Sequence, residues 1–163
     1  MREILFRGKT AKGEWVEGYL IKGKYYLEEK EITAITSIDL VFYPRCEISC
    51  YEEVIPKSIG QFTGLTDKNG KKIFEGDIIR YADESEYRCY LESLECPEDY
   101  EGVSFNDLWT IDEVVYGINI GYPAFDMNNH EWETNGLSCL NDSGQYFYEV
   151  IGNIHDNPEL LGE

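Results

Sequence analysis

The chain has 163 residues and carries 32 Asp and Glu against 14 Lys and Arg, a formal net charge of −18. A field of that sign opposes the phosphate contacts on which nucleic-acid binding rests, so nucleic acid is not the expected partner. The 42% of hydrophobic residues, with 13 Tyr, 7 Phe and 3 Trp, also set it apart from disordered acidic chains, which are poor in aromatics.

The charge is unevenly spread. Met1 to Lys57 holds nine basic residues against ten acids, and Ser58 to Tyr81 holds four against three. Ala82 to Glu163 holds nineteen acids and one basic residue, Arg88, so the whole net charge falls in the second half. Length allows one domain or two small ones, either able to bury a core without disulfides. Met1 to Tyr19 has charged residues every few positions and no signal-peptide core, and no run approaches the ~20 apolar residues of a membrane helix, so a cytoplasmic protein with no membrane partner is expected. Cys46, Cys50, Cys89, Cys96 and Cys139 are an odd set with no export signal, which points to reduced thiols. Their spacings lack a C-x2-C knuckle, and His130 and His155 are distant in sequence from both cysteine pairs, so neither a metal site nor a Cys–His nucleophile is expected.

Taken in chain order, Ile4 to Arg7 and Glu14 to Leu20 alternate as the arms of a hairpin around a Lys- and Gly-rich turn. Lys24 to Leu27, Ile32 to Ile35 and Ile38 to Tyr43 read as short strand segments, and Glu47 to Ile55 mixes Ile48, Tyr51, Val54 and Ile55 with acids before Pro56 closes it. A boundary at 57/58 would separate an N-terminal β region, 1–57, from a second region, 58–163. In that region Gln61 to Thr66 and Lys71 to Phe74 flank Asp67-Lys68-Asn69-Gly70, whose Asp and Gly suit a hairpin turn ending in a left-handed residue. Asp67-x-Asn69-Gly70 is not a calcium loop, because Lys72 stands at the sixth position and Ile78 at the twelfth. Glu75-Gly76-Asp77 makes a bend before the strand Ile78 to Tyr81, an order of turns that points, by analogy, to a small SH3-like barrel.

From Ala82 to Leu108 a polar stretch with nine acids reads as an insertion, with Tyr90, Leu91 and Leu94 spaced for a short helix. Its densest run, with Glu95, Glu98, Asp99 and Glu101, is the candidate partner surface, weighed evenly against a merely solvated loop. Trp109 to Tyr116 reads as a strand, Asp126 to Gly136 as a polar loop, and Tyr146 to Ile154 as the most β-prone run. Asn157-Pro158-Glu159 starts a helical turn that would pin the C-terminus through Leu160 and Leu161. The expected fold is therefore mainly β, with antiparallel strands forming a barrel, an additional N-terminal β region and an acidic insertion at 82–108.

Three stretches carry a family likeness. Ile59 to Leu65 with Asp67 to Ile79, the terminal Glu149 to Ile154 with Asn157 to Leu161, and the opening Phe6 to Lys9 with Glu14 to Gly18 resemble the YopX family of phage and prophage proteins. The likeness implies a β-rich fold, a phage origin and a host bacterial cytoplasm, but it brings no activity, cofactor or catalytic residue. It lapses between Tyr81 and Trp109 and from Gly117 to Gly144.

Enzyme candidates are the carboxylates Glu75 and Asp77 flanking Gly76, or the polar signature residues Gln61, Thr63 and Asn153; Gln61, Thr63, Asp67 and Asp77 mark the signature hairpin. Paired carboxylates divide into acid and base when burial separates their pKa values. Against that, Asp77 is an ordinary turn residue able to satisfy backbone N–H groups, and Gln61 and Thr63 alternate on a hairpin face. No nucleophile elbow, P-loop, H-E-x-x-H or dinucleotide fingerprint is present. A non-enzymatic protein-binding module without cofactor or metal, acting on a host or phage protein or forming a homo-oligomer, is the expected function. A small carboxylate hydrolase is the alternative. So is a nucleic-acid-binding barrel using Arg7, Lys9, Lys12, Lys22, Lys24, Lys68, Lys71 and Lys72.

Overall fold

The computed structural model describes residues 4–25, 29–36, 51–83, 91–92, 94, 108–117, 124–129, 136–142 and 146–162. The expected strand Ile38 to Tyr43, the acids Glu95, Glu98, Asp99 and Glu101, and Cys46, Cys50, Cys89 and Cys96 lie outside the described residues. The chain forms two compact units, Met1–Gly64 and Leu65–Glu163.

In the first unit, β1 (Phe6–Lys9) and β2 (Trp15–Tyr25) form an antiparallel hairpin with Phe6 opposite Gly18 and Lys9 opposite Trp15. The turn closes on Thr10: its N–H donates to Glu14 O at 2.8 Å, and its hydroxyl accepts the Glu14 N–H at 3.2 Å. β3 (Lys30–Thr36) pairs along the length of β2 beyond Gly18, and the two-residue β4 (Glu52–Glu53) pairs with β3. Among the described residues of this unit the buried hydrophobics are Leu5, Ala34, Ile35, Val54 and Phe62. Pro56 opens a 3-10 turn, Pro56–Ser58, as its fixed φ favours. Ser58 fastens that turn to β1, accepting the Lys9 N–H at 2.7 Å while donating to Ile55 O at 2.8 Å.

β5 (Gly60–Thr66) begins in the first unit, where it pairs with β1, and runs into the second, where the chain turns back as β6 (Lys72–Phe74). The sheet order is β4-β3-β2-β1-β5-β6. A second sheet has the order β10-β7-β8-β9, from β7 (Asp77–Asp83), β8 (Thr110–Tyr116), β9 (Phe125–Met127) and β10 (Tyr146–Asn153). One face of it carries the core of the second unit: Ile73, Ile79, Val114, Phe125, Met127, Leu137, Leu140 and Tyr148, with Leu65, Tyr81, Tyr146 and Val150 packed against them.

The expectation of antiparallel, mainly β structure holds, whereas the SH3-like barrel does not form among the described residues. The second sheet is open, ending in β10 on one side and β9 on the other. Closure would require another strand along the outer edge of β10, and turn residues occupy that edge instead. The Lys68 N–H donates to Tyr148 O at 3.2 Å, and the Val150 N–H donates to Asp67 Oδ2 at 3.1 Å.

The region read as a polar loop from Asp126 to Gly136 also differs. It opens inside β9, where Asp126 is fully buried, and it leads into a short helix, Gly136–Asp142. Leu137 and Leu140, one helical turn apart, drive that helix into the core. At the C-terminus Pro158–Leu161 forms the expected helical turn. Asn157 stands at its N-cap without making a side-chain cap bond. Its side chain lies instead against Gly152, where a Cβ would stand 2.7 Å from Asn157 Oδ1 and 2.9 Å from Leu160 Cδ1.

Candidate functional site

The densest polar structure of the second unit is built where the β5–β6 turn meets β10. Asp67 opens that turn with its side chain almost wholly buried. Its Oδ1 accepts the N–H groups of Asn69 and Lys71, both at 2.8 Å, and its Oδ2 accepts the Val150 N–H. A single carboxylate thus satisfies three backbone donors and fixes the turn on the strand, a role that needs an acceptor at both side-chain oxygens, which the amide of Asn does not offer. Gly70 closes the turn at φ +81, the left-handed region in which a residue without Cβ is unstrained.

The turn continues into a cross-strand network on β10. Asn69 Nδ2 donates to Glu149 Oε2 at 3.2 Å, and Glu149 pairs with Arg80, its direct cross-strand neighbour on β7. The Arg80 guanidinium lies 4.4 Å from the Trp109 ring centroid, and Trp109 meets Phe147 edge to face at 5.7 Å. Lys68 Nζ lies 5.1 Å from the ring centroid of Tyr148, whose hydroxyl donates to Thr66 O at 3.1 Å. This places a half-buried cation between an aromatic plane and a carboxylate, an arrangement that orients the guanidinium rather than leaving it to solvent.

Position in the chain gives the network its interest. Ala82 pairs with Phe147 where β7 ends, and Trp109 immediately precedes β8, whose first residue, Thr110, pairs with Tyr81. Arg80, Trp109 and Phe147 therefore stand at the stem from which the connection 84–107 leaves and to which it returns. Of the residues in that connection, Leu91, Glu92 and Leu94 are described; they are helical and exposed.

Two further carboxylates escaped the sequence reading. Asp112, in the middle of β8, is 1% exposed; its Oδ1 accepts the N–H of Glu113 and the side-chain amide of Asn129, and its Oδ2 accepts the Asn129 N–H at 2.9 Å. Asp126 Oδ1 accepts the N–H of Met127 at 2.8 Å and of Gly136 at 3.0 Å, holding the first residue of the short helix from ten positions away. An acid inside an apolar strand, as in Ile111-Asp112 and Phe125-Asp126-Met127, is the signal that could have found both. Tyr81 lies beside Asp112, and its phenol is pushed above the ordinary 10.0, first by burial, then by the charge of Asp112 and by Tyr146, with a hydrogen bond to Thr110 opposing.

The residues singled out from sequence fall in separate places. Gln61 is half-buried in β5 opposite Phe6, and Thr63 is buried two residues on. Asp77 is 1% exposed and its Oδ2 accepts the Phe74 N–H at 2.7 Å across the Glu75-Gly76 bend, while Glu75 is half-buried. Asp67 and Asp77 each serve the backbone of their own turn. Among the described residues no three His, Cys, Asp or Glu side chains are grouped to hold a metal ion, and no helix is long and apolar enough to cross a membrane.

These features define a mainly β protein of two antiparallel sheets in which buried carboxylates tie turns to strands. The YopX protein family matches over residues 5–162, nearly the whole chain, and the chain belongs to that family. Among solved structures it is similar to protein EF1440 from Enterococcus faecalis, with 25% identity, 99% of each chain covered and a TM-score of 0.53. A comparison with curated proteins returns no match.

Proposed function

We propose that this YopX-family protein is a non-enzymatic phage or prophage accessory protein that works by binding a host or phage protein through the acidic connection between β7 and β8. The observation that carries the reading is the employment of the buried carboxylates. Asp67 and Asp112 each accept three N–H donors and Asp126 accepts two, so these groups are anchored as fixed acceptors of the fold. General acid–base work needs a carboxyl group whose proton can reach a reacting atom. Carboxylates whose oxygens are engaged by several N–H donors are committed to holding the fold.

The remaining acids are the resource for recognition. Nine lie between Ala82 and Leu108, and the run with Glu95, Glu98, Asp99 and Glu101 contains no basic residue. The paired ends of β7 and β8, clamped by Arg80, Trp109 and Phe147, give this connection a rigid base, the arrangement in which loops usually carry binding function. A negative segment of this kind suits a basic partner surface, including one that otherwise binds phosphates.

The test is direct binding. Wild type and a variant with Glu98, Asp99 and Glu101 changed to Lys are used as baits at low and high salt, and recovered partners are purified and titrated individually. Loss of a basic partner with the charge reversal and with salt supports the proposal. Unchanged binding by the variant removes the acidic segment from the contact, and turnover of a carboxyl or phosphoryl ester abolished by Asp77→Asn would favour the hydrolase. A second variant, with residues 84–107 replaced by a two-residue turn, should fold, because β7 and β8 are already antiparallel neighbours.

A further inference from the structure

The chain contains two Asn-Gly dipeptides, Asn69-Gly70 and Asn135-Gly136. This dipeptide is prone to spontaneous deamidation because glycine has no side chain to hinder attack of its own backbone nitrogen on the preceding Asn amide. The two glycine nitrogens stand in different settings. Gly136 is buried, and its N–H donates to the fully buried carboxylate of Asp126 at 3.0 Å. Removing a proton from a nitrogen bonded to a buried anion is disfavoured twice, by the adjacent negative charge and by exclusion of the base. Gly70 is exposed in the β5–β6 turn, and its N–H donates to the neutral carbonyl of Asp67 at 3.0 Å.

We infer that Asn69 is a modification site whose deamidation is gated by docking of the β5–β6 turn on β10. In the docked turn three bonds oppose the reaction. The Asn69 side-chain amide is held by Glu149, the Asn69 N–H by Asp67 Oδ1, and the Gly70 N–H by Asp67 O. When the turn lifts from β10, solvent base removes the Gly70 N–H proton and the nitrogen attacks Asn69 Cγ. The new C–N bond closes a five-membered succinimide, the Cγ–Nδ2 bond breaks, and ammonia departs with a proton. Water then opens the ring at either carbonyl and leaves aspartate or isoaspartate, with no change of oxidation state.

Either product prevents the turn from returning as it was. Aspartate replaces the donor facing Glu149 Oε2 with a like charge. Isoaspartate adds a methylene to the backbone between the Asn69 and Lys71 N–H groups, both of which must reach the same Asp67 oxygen. The modification therefore makes a transient opening permanent at the residue that links the turn to Glu149 and Arg80.

The test follows conversion at both sites by peptide mapping with mass spectrometry during incubation of the native full-length chain at mildly alkaline pH. Asn69 is expected to convert faster than Asn135. Asp67→Ala, which removes the acceptor of three backbone N–H groups that anchor the turn, should accelerate Asn69 by at least roughly tenfold and leave Asn135 unchanged. Equal rates at the two sites in the wild type overturn the inference, as does an Asn69 rate unaffected by Asp67→Ala. If that variant unfolds and both sites accelerate, wild type in graded urea decides. Asn69 rising before global unfolding supports gating by the turn, and both sites rising only with global unfolding refutes it.

Discussion

Asp67→Ala tests the architecture at its most connected side chain. The substitution removes the acceptor of three backbone N–H groups, those of Asn69, Lys71 and Val150. Asn69 and Lys71 are exposed, so water recovers part of their loss, whereas the Val150 N–H lies on the edge of β10 that the turn covers. A hydrogen bond to a charged group contributes about 1.5–3 kcal/mol, and a donor left without water costs about 1–3 kcal/mol. Counting the Val150 bond fully and the two rehydrated ones at a fraction gives an expected loss of about 2–4 kcal/mol. Against the 5–15 kcal/mol of an ordinary domain, that loss would move a urea midpoint visibly. Asp67→Asn keeps one acceptor oxygen and should lose about half as much, because its amide N–H2 turns a donor toward whichever N–H it replaces. Equilibrium urea unfolding with unchanged slope is the assay. A loss below about 0.5 kcal/mol for Asp67→Ala, the range of an ordinary surface substitution, would refute the reasoning.

Three other outcomes follow from the same structure. Gly152→Ala should cost about 1–3 kcal/mol in urea unfolding, since the new Cβ meets Asn157 Oδ1 at 2.7 Å and Leu160 Cδ1 at 2.9 Å and pushes the C-terminal turn off β10. Asp126→Ala should cost about 1–3 kcal/mol by leaving the buried Gly136 and Met127 N–H groups unpaired, and a variant of wild-type stability would dismiss its role as anchor of the short helix. Tyr81 sets an alkaline limit: with its folded pKa above 10.0, the unfolded chain loses the proton first, so its contribution is intact below pH 10 and falls away as pH rises through the folded value. Tyr81→Phe should therefore show a shallower decline of stability above pH 10 than the wild type, and parallel declines would contradict the assignment.

The parts of the fold legible in the sequence are those fixed by neighbours in the chain. Thr10 to Glu14 and Asp67 to Lys71 close hairpins with their own side chains, so turn chemistry placed β1, β2, β5 and β6. The short helix Gly136–Asp142 was not legible. Its two core leucines stand among Ser138, Cys139 and Asn141, and its start depends on Asp126, ten residues earlier and on another element. Sheet closure was equally invisible, because a barrel and an open sheet share the same local turns. The difference rests on what meets the outer edge of β10, and that is a side-chain acceptor eighty-three residues away in the chain. The network of Arg80, Trp109, Phe147 and Glu149 was missed for the same reason: none of its contacts is local, and β-strand register alone brings Arg80 opposite Glu149.

Amide hydrogen exchange at Val150 is the measurement closest to the central claim that buried signature carboxylates fasten the fold. In the wild type the Val150 N–H, donated to Asp67 Oδ2 at 3.1 Å, should exchange slowly although it lies on an edge strand. In Asp67→Ala its protection, and that of Lys71, should collapse while the central-strand amides of β7 keep theirs. A Val150 amide that exchanges at the rate of an open strand edge in the wild type would contradict the account.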